Sequence, residues 1–87
     1  MRIVMVYKKE SDATREVAEW LEAFRQRSEL EVEELDPETL EGEGFCTARD
    51  IVRYPAVVVC DSEGKTYFTH QGRPLPMIDD VLGYVVN

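Results

Sequence analysis

The sequence predicts one small α/β domain, spanning residues 1–87, whose elements follow the order β-α-β-α-β-β-α. Residues 3–7 and residues 56–60 are uninterrupted apolar runs, and such runs are typical of central strands covered on both faces. Other segments place apolar residues at helical spacing behind residues that cap helices. Because a chain of 87 residues removes only about 60–65% of its unfolded surface from water, these elements can form one sheet and a few helices.

The first half of the chain predicts a strand, a helix and a second strand. After the strand at residues 3–7, Ser11 or Asp12 can cap the helix, because the side-chain oxygens of these residue types accept hydrogen bonds from free backbone N–H groups. Residues 30–33 alternate apolar and acidic side chains, which predicts a half-exposed strand whose glutamates protect a sheet edge. The apolar stripe of the helix comprises Ala13, Val17, Trp20, Leu21 and Phe24.

The second half predicts a short helix, a hairpin and a final helix. Residues 36–44 form a polar segment with two glycines, and residues 47–50 resemble a capping box that opens a helix through Ile51 and Val52. After the strand at residues 56–60, the turn sequence Asp-Ser-Glu-Gly leads into another strand that ends at position 70. The final helix has two aspartates in its first turn, where the helix dipole favours acids, and its apolar face comprises Ile78, Val81, Leu82 and Val85.

This order, with Tyr54-Pro55 ahead of a buried strand, a hairpin and a helix, resembles the thioredoxin and glutaredoxin superfamily over nearly the whole chain. The hairpin turn at residues 61–64 and the glycine-containing segment at residues 72–76 are similar to the corresponding parts of that family. The resemblance implies a four-stranded mixed sheet of order 2-1-3-4, and a proline whose preceding peptide bond is usually cis. The alternative is a ferredoxin-like α+β sandwich, which requires residues 84–86 to be a last strand.

The resemblance also implies where a catalytic Cys-x-x-Cys motif would lie, and this chain lacks that motif. Counting from Tyr7, the corresponding turn into the first helix holds residues 11–14, which are Ser-Asp-Ala-Thr. Disulfide exchange requires a thiolate of lowered pKa as the nucleophile and a second thiol to resolve the mixed disulfide. We therefore expect no disulfide oxidoreductase activity of the Cys-x-x-Cys type, while an enzymatic function of another kind stays open.

The candidate binding residues are expected to line a cleft between the first turn and Tyr54-Pro55. Its lysines can attract a carboxylate or a phosphate at the start of the helix, or they are ordinary surface residues. Ser11 and Thr14 either orient a bound thiol, as a hydroxyl does in the similar domain of some glutathione transferases, or merely cap the helix. The full set is Lys8, Lys9, Ser11, Asp12, Thr14, Tyr54 and Pro55.

Cys46 is the candidate reactive thiol, because it precedes the predicted cap Thr47, where free N–H groups and the helix dipole can stabilise a thiolate. The alternative is an ordinary loop cysteine. Cys60 ends a central strand and is expected in the core.

His70 is the single histidine and has no second ligand at metal-binding spacing, so we expect a solvated side chain, no metal and no cofactor. Three aromatic residues are expected to pack in the core: Trp20, Phe24 and Phe68.

The charge distribution restricts the class of partner. The formal net charge is −8, and residues 10–43 carry thirteen acidic residues against three arginines. Such a surface repels phosphate backbones and anionic lipids, so we expect no nucleic-acid and no membrane binding. No apolar stretch is long enough to cross a bilayer, and two cysteines do not make a dense disulfide framework, so a cytoplasmic location is expected. The oligomeric state stays open.

Three hypotheses about function follow. The first is a non-catalytic thioredoxin-like domain that binds a peptide or protein in the cleft, since strand-like backbone pairing does not require cysteines. The second is a divergent thiol-redox or glutathione-binding protein that acts through Cys46 or through residues 11–14. The third is an interaction protein whose acidic helix face docks on a basic partner.

Overall fold

A computed structural model describes residues 1–85, and it has the predicted element order. The sheet order β2-β1-β3-β4 confirms the order that the resemblance implied. Strand β1 pairs with β2 in parallel and with β3 antiparallel, and β3 pairs with β4 antiparallel. The elements are β1 (Arg2–Val6), α1 (Thr14–Ser28), β2 (Glu33–Leu35), α2 (Leu40–Ala48), β3 (Ala56–Cys60), β4 (Thr66–Gln71) and α3 (Ile78–Val85).

The two central strands are apolar from Ile3 to Val6 and from Ala56 to Cys60 because helices cover both faces of the sheet. On one face, alternate residues of β1 and β3 pack against α1 and α3, whose largest buried side chain is Phe24. On the other face, the remaining residues of both strands pack against Cys46 of α2 and against Ile51. Trp20 ties α1 to the segment before α3, since its indole N–H donates to the carbonyl oxygen of Pro76 at 2.8 Å. Trp20 and Phe68 are partly buried against this core, as predicted.

Strand β2 lies later in the chain than predicted. Residues 30–33 were expected to form it, but the strand comprises Glu33–Leu35. Helix α1 ends at Ser28, and its C-cap residue Glu29 has a φ of 64° and donates its backbone N–H to the carbonyl oxygen of Arg25. Residues 30–32 are then needed to bring the chain back to the sheet. The predicted position at a sheet edge is confirmed, because in the described part of the chain β2 is the first strand of the order β2-β1-β3-β4 and has β1 as its neighbour.

The prediction of a helix from Thr47 is wrong, because α2 occupies Leu40–Ala48 inside the segment expected to be a loop. Its cap is Thr39, whose hydroxyl accepts the backbone N–H of Gly42 at 3.0 Å and donates to the carbonyl oxygen of Asp36 at 2.8 Å. The helix ends where the predicted one begins, and Asp50 beyond it has a positive φ of 57°.

The predicted capping of α1 is also wrong. Its N-cap position is Ala13, which makes no side-chain capping bond, and the Ser11 hydroxyl instead accepts the N–H of Ala13 at 3.3 Å.

The ferredoxin-like alternative is not observed, since Tyr84 lies in α3 and position 86 is outside the described residues. None of the helices within residues 1–85 has the length and apolarity that a bilayer span requires.

Candidate functional site

A pocket of about 180 Å³ lies where three loops meet at one end of the sheet. Val6 pairs with Ala56, and Ala56 pairs with Gln71. These pairings bring the end of β1, the start of β3 and the end of β4 to the same end of the sheet. The loops that leave or enter these strands therefore converge. The pocket is lined by Tyr7, Lys8, Ser11, Asp12, Ala13, Tyr54, Pro55 and Arg73.

Most of the predicted cleft residues line this pocket, and two do not. Lys9 does not line this pocket but a separate one beside Asp36, and its ammonium lies 5.6 Å from the centre of the Tyr7 ring. Thr14 lies within the first turn of α1, where its hydroxyl donates to backbone carbonyls. The predicted residues that do line the pocket are Lys8, Ser11, Asp12, Tyr54 and Pro55.

The hydroxyls of Ser11 and Thr14 bind the backbone of the turn. Ser11 donates its hydroxyl hydrogen to the carbonyl oxygen of Lys8 at 2.8 Å. Thr14 donates to the carbonyl oxygens of Lys9 at 3.0 Å and of Ser11 at 2.9 Å. A hydroxyl has one hydrogen to donate, and stabilising a bound thiolate would require that hydrogen. Both hydroxyls thus bind the backbone of the turn before α1, and neither caps the helix, which was the alternative to binding a thiol.

Tyr54-Pro55 forms the opposite wall, and its peptide bond is cis. The carbonyl oxygen of Pro55 accepts the N–H of Gly72 at 2.9 Å, which joins this loop to the loop after β4. Within residues 1–85, the backbone N–H and C=O of Tyr54 have no hydrogen-bond partner. The ring of Tyr54 lies 5.7 Å from the ammonium of Lys8 across the pocket. Tyr54, which lines the cleft, thus has one unpaired backbone donor and one unpaired backbone acceptor beside its aromatic ring.

Neither cysteine lines the pocket. The prediction that Cys46 precedes a helix is wrong, because it lies in α2 with its side chain buried on the face that packs on the sheet. Burial raises the pKa of the Cys46 thiol above its ordinary value, although contacts with the hydroxyl of Tyr54 and the charge of Arg49 act in the opposite direction. Cys60 is fully buried, as predicted. Both thiols are free rather than joined in a disulfide.

Arg73 is a pocket residue that the sequence analysis missed. It follows Gly72, whose φ of 85° turns the chain toward the cleft. Its Nε donates to Glu16 at 2.8 Å and one terminal nitrogen reaches Asp12 at 3.5 Å. The hydrogen bond and the charge of Glu16 raise the pKa of the guanidinium. No local sequence pattern marks this residue, because only the return of β4 beside β3 places it at the cleft.

The structure offers no metal centre among the described residues: no group of three His, Cys, Asp or Glu side chains within residues 1–85 is arranged to hold an ion. His70 was expected to be solvated, but its side chain is partly buried. Its ring Nε2 lies 2.7 Å from the carbonyl oxygen of Pro74.

The sheet order, the helices on both of its faces and the cis proline beside the turn into α1 together define a thioredoxin-like fold. Among solved structures, the chain is similar to thioredoxin 1 from the thermophilic eubacterium Thermosipho africanus TCF52B. The TM-score is 0.66 over 98% of this chain and 90% of that chain, with 12% sequence identity, so the likeness shows the fold alone. No family model matches the chain, and the search of curated proteins found no match.

Proposed function

We propose that this protein is a non-catalytic thioredoxin-like binding domain that holds an extended peptide segment in the cleft beside Tyr54-Pro55. The observation that carries the proposal is the unpaired backbone of Tyr54 at a pocket without thiols. An extended peptide can add to such a backbone by main-chain hydrogen bonds, while the adjoining pocket accepts one of its side chains. This mode of binding needs no nucleophile.

The position of the cysteines supports binding over redox chemistry. A reactive thiol is exposed and has a lowered pKa, whereas Cys46 is buried and the pKa of its thiol is raised. Cys60 lies in β3 at the opposite end from Pro55. A thiol-transfer function through Cys46 would therefore need α2 to move away from the sheet.

The test is selection of linear peptides from an unbiased displayed library on the full chain, followed by titration of the ¹⁵N-labelled protein with a selected peptide. We expect saturable shifts of the amides that line the pocket. The blocking variant is Asp12→Trp, because the Asp12 side chain is 90% exposed at the rim and can be enlarged without entering the core. The matched control is Ser62→Trp, an exposed position in the β3–β4 turn at the far end of the sheet.

The proposal requires that Asp12→Trp loses the selected peptides and that Ser62→Trp keeps them, with both variants folded by circular dichroism. Equal binding by the two variants contradicts the cleft as the site. A parallel titration with reduced and oxidised glutathione tests the thiol hypothesis. A mixed disulfide at Cys46 or saturable shifts at residues 11–14 would favour that hypothesis over peptide binding.

A further inference from the structure

The loop between α2 and β3 is held at its backbone, and Val52 and Arg53 within it are exposed while Ile51 is buried. The side-chain oxygen of Gln71 accepts the backbone N–H groups of Val52 at 2.9 Å and of Arg53 at 3.1 Å. The side-chain nitrogen of Gln71 donates to the carbonyl oxygen of Asp50 at 3.2 Å. The side-chain amide of Gln71 thus forms hydrogen bonds with three backbone groups of the segment that immediately precedes Tyr54. Val52, at 74% exposure, is displayed to solvent as a result.

Arg53 carries its charge at the edge of the cleft. Its guanidinium lies over Gly72, since a Cβ on that glycine would be 3.9 Å from both Cζ and Nε of Arg53. Gly72 adjoins Arg73, which lines the pocket. Arg53 and Arg73 therefore approach the same rim from two loops, the loop before β3 and the loop after β4.

The cations at this rim differ in their pairing. Arg73 is paired with Glu16 and lies near Asp12, and the ammonium of Lys8 is 3.8 Å from a carboxylate oxygen of Glu38. Within residues 1–85, no carboxylate lies within 4.0 Å of the Arg53 guanidinium. An arginine held beside an open cleft without an internal partner is suited to a carboxylate of a ligand, because its planar fork binds both oxygens.

The charge of the rest of the molecule does not prevent such a contact. The net charge is −8, but at physiological ionic strength exposed charges act over only about 8 Å. Lys8 and Arg73 line the pocket and Arg53 stands at its edge, whereas Asp12 is the single acidic residue that lines it among those described. Glu16 and Glu38 lie outside the lining but pair with Arg73 and Lys8, so Arg53 is the cation of this rim that keeps its charge available to a ligand.

From this loop geometry and charge, we propose that the segment bound in the cleft is acidic, and that Arg53 binds an aspartate or glutamate carboxylate of that segment. Gln71 is the positioning residue, since it fixes the backbone from which Arg53 extends. This inference rests on the proposed peptide-binding function and adds the chemical class of the peptide.

The test uses three sets of immobilised ten-residue peptides that share the same randomised positions. Two fixed positions are both Glu in the first set, Gln in the second and Lys in the third. The full chain is applied as wild type, Arg53→Glu, Lys65→Glu and Asp12→Trp. Lys65→Glu makes the same change in charge as Arg53→Glu, but at an exposed position in the turn between β3 and β4, away from the cleft.

We expect the wild type and Lys65→Glu to retain the Glu set about fivefold more strongly than the Gln set, as an exposed ion pair allows. Arg53→Glu should lose this preference. A Glu preference that persists in Arg53→Glu overturns the role of Arg53. Equal retention of all sets, or preference for the Lys set, overturns the acidic character of the bound segment. If Asp12→Trp loses binding in that case, the cleft still binds peptides and the proposed function stands. Binding of no set, or binding unaffected by Asp12→Trp, instead refutes the peptide-binding function itself.

Discussion

Two glycines in α2, two positions apart, are expected to respond to alanine in opposite directions. A Cβ at Gly42 would lie 1.9 Å from the carbonyl oxygen of Asp36 and 3.0 Å from the Cα of Pro37, so it would collide with backbone that cannot rotate away. A Cβ at Gly44 would meet nothing within 4 Å. Both residues lie within Leu40–Ala48, so the intrinsic preference of a helix for alanine applies to each.

The magnitudes follow from these contacts. Gly44→Ala should raise the free energy of unfolding by about 0.5–1 kcal/mol, the usual gain of alanine over glycine in a helix. Gly42→Ala requires the Asp36 carbonyl to move, which costs about 1–3 kcal/mol as overpacking. The same movement weakens the hydrogen bonds that this carbonyl accepts from the hydroxyl and the N–H of Thr39. Thr39 is the N-cap residue of the helix, and such a cap contributes about 1 kcal/mol. The net loss is about 2–3 kcal/mol.

Thermal and urea unfolding monitored by circular dichroism measure both effects. For a domain of this size, about 1 kcal/mol corresponds to about 4–8 °C in Tm. We therefore expect Tm to rise by a few degrees for Gly44→Ala and to fall by about 10–20 °C for Gly42→Ala. If the two variants change Tm by the same amount and in the same direction, the placement of α2 against the segment before it is refuted. That result would suit a helix starting at Thr47, which leaves both glycines in a loop.

Three further predictions concern single side chains around the sheet. Burial, together with the hydroxyl's 2.7 Å hydrogen bond to Glu34, raises the pKa of Tyr7 to about 12. Ultraviolet titration should show an ionisation near that pH that Tyr7→Phe lacks. The contribution of the protonated hydroxyl to the free energy of unfolding should be complete below pH 10 and lost as pH rises toward 12. Gln71→Ala should speed hydrogen exchange of the exposed Val52 amide, and unchanged protection would contradict the clamp. Cys46 should react with a thiol reagent only as denaturant is added, and rapid modification of the native protein would contradict its burial.

The elements that could be predicted from the sequence are those whose signal is local. The runs at residues 3–7 and 56–60 indicated central strands because a strand buried on both faces has no polar alternation, and both runs form such strands. The turn at residues 61–64 and the apolar face of the last helix were equally visible. Their order carried the resemblance to the thioredoxin and glutaredoxin superfamily, and that resemblance implied the sheet order 2-1-3-4, which the structure confirms.

Helix α2 could not be predicted because little of its stability is encoded locally. It contains Gly42 and Gly44, both poor helix formers, and its apolar residues do not recur at the spacing that marks one helical face. It forms because Gly42 packs on the backbone of Asp36, Thr39 caps its first turn and Cys46 enters the core. These are contacts with groups outside the helix, which a search for periodicity within one segment does not detect.

The amino-acid sequence by itself determined the fold class, the two central strands and the absence of a Cys-x-x-Cys pair, because each depends on residue types at consecutive or regularly spaced positions. Only the tertiary structure decided which side chains surround the cleft. The antiparallel return of β4 brings Arg73 beside Asp12, and Gln71 holds the loop that presents Arg53. Residues about sixty positions apart become neighbours through strand pairing, and no local pattern carries that information.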